Sequence, residues 1–63
     1  MKNTPYDRLV LEAKRHIIRH TLAIHAGNVT RSARTLGLQR TYLHRLLRLY
    51  DLRSLATTLR GGA

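Results

Sequence analysis

The chain contains no cysteine, so neither a disulfide nor a thiolate-held metal can brace it, and cysteine usage leaves only a lean towards the cytoplasm. Acids are almost as scarce. Three Asp and Glu stand against twelve Lys and Arg, a formal charge of +9. No apolar run approaches the ~18 residues of a membrane span, and the N-terminus lacks the apolar core of a signal peptide. There is no internal repeat, low-complexity tract or linker. No Gly-rich phosphate loop ending in Lys and Ser/Thr occurs, and three acids without a Ser-His-acid spacing leave little from which to build a catalytic site. No catalytic residue, metal site or cofactor is therefore expected. The expectation is a soluble, cytoplasmic binding protein without a membrane partner.

What remains is short and basic. Sixty-three residues form a single domain, 1–63, and domains of this size bury only about 60% of their unfolded surface. With no cysteine, oligomerisation is the aid still open to such a chain. Ten of the twelve cations are Arg, which suits bidentate contacts to phosphate and guanine better than Lys does. Such an imbalance points to a polyanionic partner.

The spacing predicts a helix over 5–26. Thr4 can cap it, Pro5 suits its first position, Asp7 favours the first turn, and Gly27 closes it. Tyr6, Val10, Ala13, Ile17, Thr21 and Ile24 form one apolar stripe, and Leu11, Ile18, Leu22 and His25 a second, displaced by about 100° around the helix. One stripe suffices to pack on a small helical unit. The second is expected to meet another copy of the chain, with the dimer interface built from Leu11, Ile18 and Leu22, helped by Val10 and Ile17. His16 and His20 have the spacing of a two-His metal pair, but nothing completes a ligand set, and a partly buried or dimer-facing position is expected for them.

The stretch from Asn28 to Arg48, NVTRSARTLGLQRTYLHRLLR, organises the rest. Asn28 can cap a helix over 29–36, and Gly37 stands where that helix must stop with positive φ. Ala33 is small where a second helix must come close. Leu36, Leu38, Leu43 and Leu47 can all point into one core. A further helix runs from Arg40 to about Tyr50, with Gln39 as a weak cap, and its outward face carries Arg40, Thr41, His44, Arg45 and Arg48. These are the parts of a helix-turn-helix over 28–50, whose second helix enters the DNA major groove leading with its N-terminal residues. Arg40 then suits guanine, Arg31 and Arg48 suit phosphates, and Tyr42 packs or touches a phosphate. Residues 51–63 form a tail in which Leu52, Leu55 and Leu59 predict a short turn of helix packing back, against the poor helix formers Thr57 and Thr58. Residues 1–4 and 61–63 are expected to fray.

The segment Gly27 to Leu52 resembles the Fis-type helix-turn-helix of the nucleoid protein Fis and of the C-terminus of bacterial sigma-54-dependent activators. Gly27, Asn28, Arg31, Ser32, Ala33, Leu36, Gly37, Leu38, Gln39 and Arg40 carry the likeness, and RTYLHRLLR is similar to the activator branch. The resemblance implies an all-α homodimer with a long N-terminal dimerisation helix. It places Arg40 and Arg45 at bases or phosphates, and Thr30 and Arg31 near the DNA backbone. Asp51 departs from the family's usual Gly, and Leu49 stands where a polar residue is common, with Leu52 or Leu55 as its expected neighbour.

The expected function is dimeric, sequence-selective binding of double-stranded DNA in bacterial transcription regulation, by a free-standing nucleoid-associated regulator or a piece of a larger one. The alternative is weakly specific architectural bending of DNA, in which the deformability of the site supplies the preference. A cationic membrane-surface peptide fits less well, because Gly27 and Gly37 divide the chain and the long helix has no clean basic face.

Overall fold

Pro5–Ile24 forms α1, Val29–Leu36 forms α2, Arg40–Leu49 forms α3 and Arg53–Leu59 forms α4, in a computed structural model that describes residues 4–61. All regular structure among these residues is helical, so the fold class is all-α. The expected fraying of residues 1–3 and 62–63 lies outside the described residues. Among the described residues no helix is long and apolar enough to cross a membrane.

Two helices begin on side-chain caps. Thr4 Oγ1 accepts the Asp7 N–H at 3.1 Å and donates to the Asp7 carboxylate at 2.9 Å. Asn28 Oδ1 accepts the Arg31 N–H at 3.0 Å. Such caps contribute about 1 kcal/mol each. Gln39 and Leu52 precede α3 and α4 without a capping bond, so packing has to hold those ends.

Three helices end alike. After each comes a residue with positive φ, Ala26 at 53°, Gly37 at 70° and Asp51 at 59°. The next residue then donates its N–H back into the helix: Gly27 to the Leu22 carbonyl at 2.8 Å, Leu38 to Ala33 at 2.8 Å, and Leu52 to Leu47 at 2.7 Å. This is Schellman closure, which satisfies carbonyls the helix end would leave unpaired. The expected end of the first helix is corrected accordingly. It stops at Ile24 rather than Ala26, and two residues in succession turn the chain with positive φ, Ala26 at 53° and Gly27 at 80°. Gly27 answers a second demand. A Cβ there would stand 2.5 Å from the Ala56 carbonyl oxygen and 2.8 Å from the Arg60 nitrogen, so the last turn of α4 lies directly on the α1–α2 connection. The tail is thus a full helix, with Leu52 and Ala56 buried in spite of Thr57 and Thr58.

The core is Ile18, Leu22, Val29, Ala33, Leu43, Leu47, Tyr50, Leu52 and Ala56, flanked by the half-buried Leu36, Leu38, Leu46, Leu55 and Leu59. Its composition corrects the assignment of stripes on α1. Ile18 and Leu22, expected at a dimer interface, are 4% and 0% exposed within their own chain. Leu11 shares their stripe but is exposed, because it lies beyond the reach of the core. On the other stripe Tyr6, Ile17 and Ile24 are exposed and Val10 is half-buried. Only Thr21 is buried there, with its hydroxyl donating to the Ile17 carbonyl at 2.8 Å. Spacing fixes that α1 has two stripes, not which one meets the rest of the chain. Length decides the remainder. At 1.5 Å per residue α1 runs about 30 Å and α2 only about 12 Å, so the first turns of α1 project past the core. Leu49 is corrected too: it is 69% exposed rather than packed on the tail.

Candidate nucleic-acid interface

The α2–α3 unit presents α3 from one side. Gly37 in the left-handed region turns the chain, the buried Ala33 leaves room for close approach, and Leu43 and Leu47 anchor α3 inward. Helical geometry then fixes the opposite face. Arg40, Thr41, His44, Arg45 and Arg48 are all exposed along it. Gln39, exposed and uncapping, stands at its leading end, and the half-exposed Tyr42 lies on the flank towards α1. The structure thus brings Arg40, Thr41, His44, Arg45 and Arg48 onto one surface and leaves Tyr42 outside it, in an apolar groove beside α1.

Thr30 and Arg31 sit in the first turn of α2, and both are exposed. The Arg31 backbone N–H donates to Asn28 Oδ1, which fixes the first turn of α2 beneath the exposed Arg31 side chain. His25 Nε2 and Thr35 Oγ1 are hydrogen-bonded at 2.7 Å, tying the end of α1 to the last turn of α2. An open cleft of ≈ 560 Å³ lies between the start of α2 and the leading edge of α3, lined by His25, Asn28, Thr30, Arg40, His44 and Arg60 among others. Cations and hydrogen-bond donors line this cleft, and none of its lining residues is acidic. Its chemistry suits an oxyanion such as a phosphate.

His16 and His20 stack at 6.0 Å between ring centroids on the exposed side of α1, so of the two expected positions, partly buried or dimer-facing, burial within the chain is ruled out. Among the described residues no group of three or more His, Cys, Asp or Glu is placed to hold a metal ion. Sequence patterning missed Arg53 and Arg60. Arg53 opens α4 and Arg60 follows its last residue as the C-cap, at i and i+7 with Thr57 between them along one helix face, and that spacing was the available signal. Comparison with known proteins adds no relative to this geometry: no family model, no curated protein and no solved structure matches the chain.

Proposed function

We propose that this chain is a dimeric, sequence-selective module that binds double-stranded DNA in bacterial transcription regulation, with α3 in the major groove. The observation that carries the reading is the outward face of α3, where five polar or basic side chains stand free while Leu43 and Leu47 hold the helix from behind. The formal charge of +9 supplies the sequence-independent attraction to phosphates. The likeness of Gly27 to Leu52 to Fis-type domains supports the same reading and a nucleoid-associated place in the cytoplasm.

The dimer rests on the stripe the core leaves uncovered. Tyr6, Leu9, Val10, Ala13 and Ile17 lie on the projecting part of α1, and Tyr6 and Leu9 are 74% and 65% exposed. This surface runs on into an apolar groove lined by Ile17, Leu36, Leu38, Tyr42 and Leu46. A second copy is the occupant that charge favours. Asp7 and Glu12 nearly balance Arg8, Lys14 and Arg15 here, whereas the α3 face would repel its own duplicate.

Arg40 and Arg48 test the placement of α3. Arg40 opens the helix, so Arg40→Ala is expected to cost about 1–3 kcal/mol on the preferred site and to flatten preference at one position per half-site. Arg48 lies two turns on, where phosphates are the neighbours. Its replacement by Ala should weaken all sequences alike and make the salt dependence shallower by about one unit of slope per monomer. Isotherms on a duplex selected from random sequence and on a scrambled one decide it. If selection yields no preferred site, architectural binding replaces this reading.

A further inference from the structure

α4 lies alongside the surface just described. The close approach of its last turn to Gly27 leaves Arg60 beside the start of α2. Arg60 lines the cleft that also holds His25, Thr30, Arg40 and His44. A second, smaller cleft of ≈ 110 Å³ continues along the same edge, lined by His44, Leu47, Arg53, Thr57 and Arg60. Val29, His44 and Arg60 border both. One face of α4, carrying Arg53, Thr57 and Arg60, therefore runs beside the Arg40–His44 edge of α3, and all three are exposed.

We propose that this edge is a phosphate-binding track: Arg60, joined by His44 across the larger cleft, holds a backbone phosphate of the DNA strand flanking α3, and Arg53 holds a further one, while Arg40, lining the same cleft, stays with the bases. The proposal rests on the reading of α3 as a groove-inserted helix and extends it to an element that no base-reading role requires. A guanidinium reaching a phosphodiester makes paired, charge-assisted hydrogen bonds and displaces condensed counterions. Thr57 and Thr30 supply neutral donors beside them, as phosphate contacts commonly do. Such a track positions the helix in the groove without reading sequence.

The test sets Arg60→Ala against Arg19→Ala in the full chain. Arg19 lies on α1 in a separate cleft with His16 and His20, away from α3, and so removes the same charge from the wrong place. Arg60→Ala keeps the backbone that packs on Gly27, and an unchanged thermal melt establishes that the fold is intact. Duplex affinity is then measured from low to high salt on a selected and a scrambled sequence. The proposal expects Arg60→Ala to make the slope of log K against log salt shallower by about 0.9 per monomer on both duplexes. Arg60→Lys should recover most of that slope, and Arg19→Ala should leave it near the wild-type value. Equal effects of Arg60→Ala and Arg19→Ala would reduce Arg60 to long-range attraction and overturn the track. So would orthophosphate titrated into DNA-free protein saturating at Arg60, if Arg60→Ala left duplex affinity untouched, since the cleft would then serve a free anion. Failure of the wild-type chain to bind either duplex would instead remove the reading of α3 itself.

Discussion

The first turns of α1 and its last two belong to one helix, unbroken by Gly, yet only the last two have a core to lie on. Ile18, Thr21 and Leu22 are buried, whereas before Ile17 no α1 side chain is more than half-buried. The two regions differ in charge as well. Acids and cations nearly balance over 5–16, while Arg19, Arg31, Arg34, Arg40, Arg45, Arg48, Arg53 and Arg60 face only Asp51 in the remainder. A helix of about 12 residues is marginal in water by itself. Its cap at Thr4 and its continuity with the packed turns help, but exposed Tyr6 and Leu9 gain nothing from either. The difference separates two tasks. The packed region presents a cationic face and the projecting region a near-neutral apolar one, the two surfaces that the proposed DNA-binding dimer calls for.

Neighbouring residues offer the sharpest way to break that comparison. Ile17 and Ile18 are adjacent in sequence but point about 100° apart, one half exposed and one in the core. Ile18→Asp buries a carboxylate without a partner and is expected to cost several kcal/mol, comparable with the entire stability of so small a domain. Ile17→Asp should leave helicity and melting of the dilute protein nearly unchanged while abolishing the proposed self-association. Circular dichroism and sedimentation equilibrium on both variants give the answer. Retained folding in Ile18→Asp together with collapse in Ile17→Asp would reverse the assignment of stripes.

That reversal is where the sequence was least legible, for a definite reason. Two apolar stripes side by side fix a helix and its period but leave its rotation open, and only the shape of the α2–α3 unit closes that choice. Helix α2 was legible to the residue, because Asn28 and Gly37 signal its ends by side-chain and backbone chemistry that act locally. The end of α1 was misplaced by the same kind of rule. Gly27 does turn the chain with positive φ, though α1 has already ended at Ile24, and the missing side chain of Gly27 also serves the approach of Ala56 and Arg60 from far along the chain. Helix α4 was underestimated because local propensity penalises Thr57 and Thr58, while burial of Leu52 and Ala56 outweighs it. The α3 face could be listed in advance from helical spacing alone. Arg53 and Arg60 could not be placed beside it, since no local pattern reports where a tail folds back.

A change confined to the packed region should raise stability and leave association alone. Ser32 is fully buried on α2, and its Oγ has no hydrogen-bond partner among the described residues. A buried hydroxyl without a partner costs about 1–3 kcal/mol in desolvation, and Ala is the better helix former. Ser32→Ala is expected to stabilise the fold by about 1 kcal/mol, which for a domain near this size raises the melting temperature by about 4–8 °C. The dissociation constant of the proposed dimer should stay the same. A lowered melting temperature would mean that the hydroxyl has a partner in solution.

The smallest expected effect lies at the junction where α1 gives way to α2. Ala26 adopts φ 53° and is exposed, so it carries the strain of a left-handed residue with no polar side chain to offset it. That conformation costs an L-residue roughly 1–2 kcal/mol. Glycine removes the strain but widens the unfolded ensemble, which takes back about 0.4–1 kcal/mol. Ala26→Gly should therefore stabilise the fold by about 0.8 kcal/mol, by difference of the midpoints of those two terms. The Schellman bond from Gly27 to the Leu22 carbonyl is unaffected, since it uses backbone atoms alone. The urea midpoint should rise while the slope of the transition holds, because the surface exposed on unfolding is the same. Association through the projecting turns of α1 should not change. A fall in the midpoint would carry a different meaning. Glycine is unfavourable inside a helix by about 0.5–1 kcal/mol relative to alanine, so destabilisation would show that α1 continues through Ala26 in solution and that the packed region begins later than its closing bonds place it.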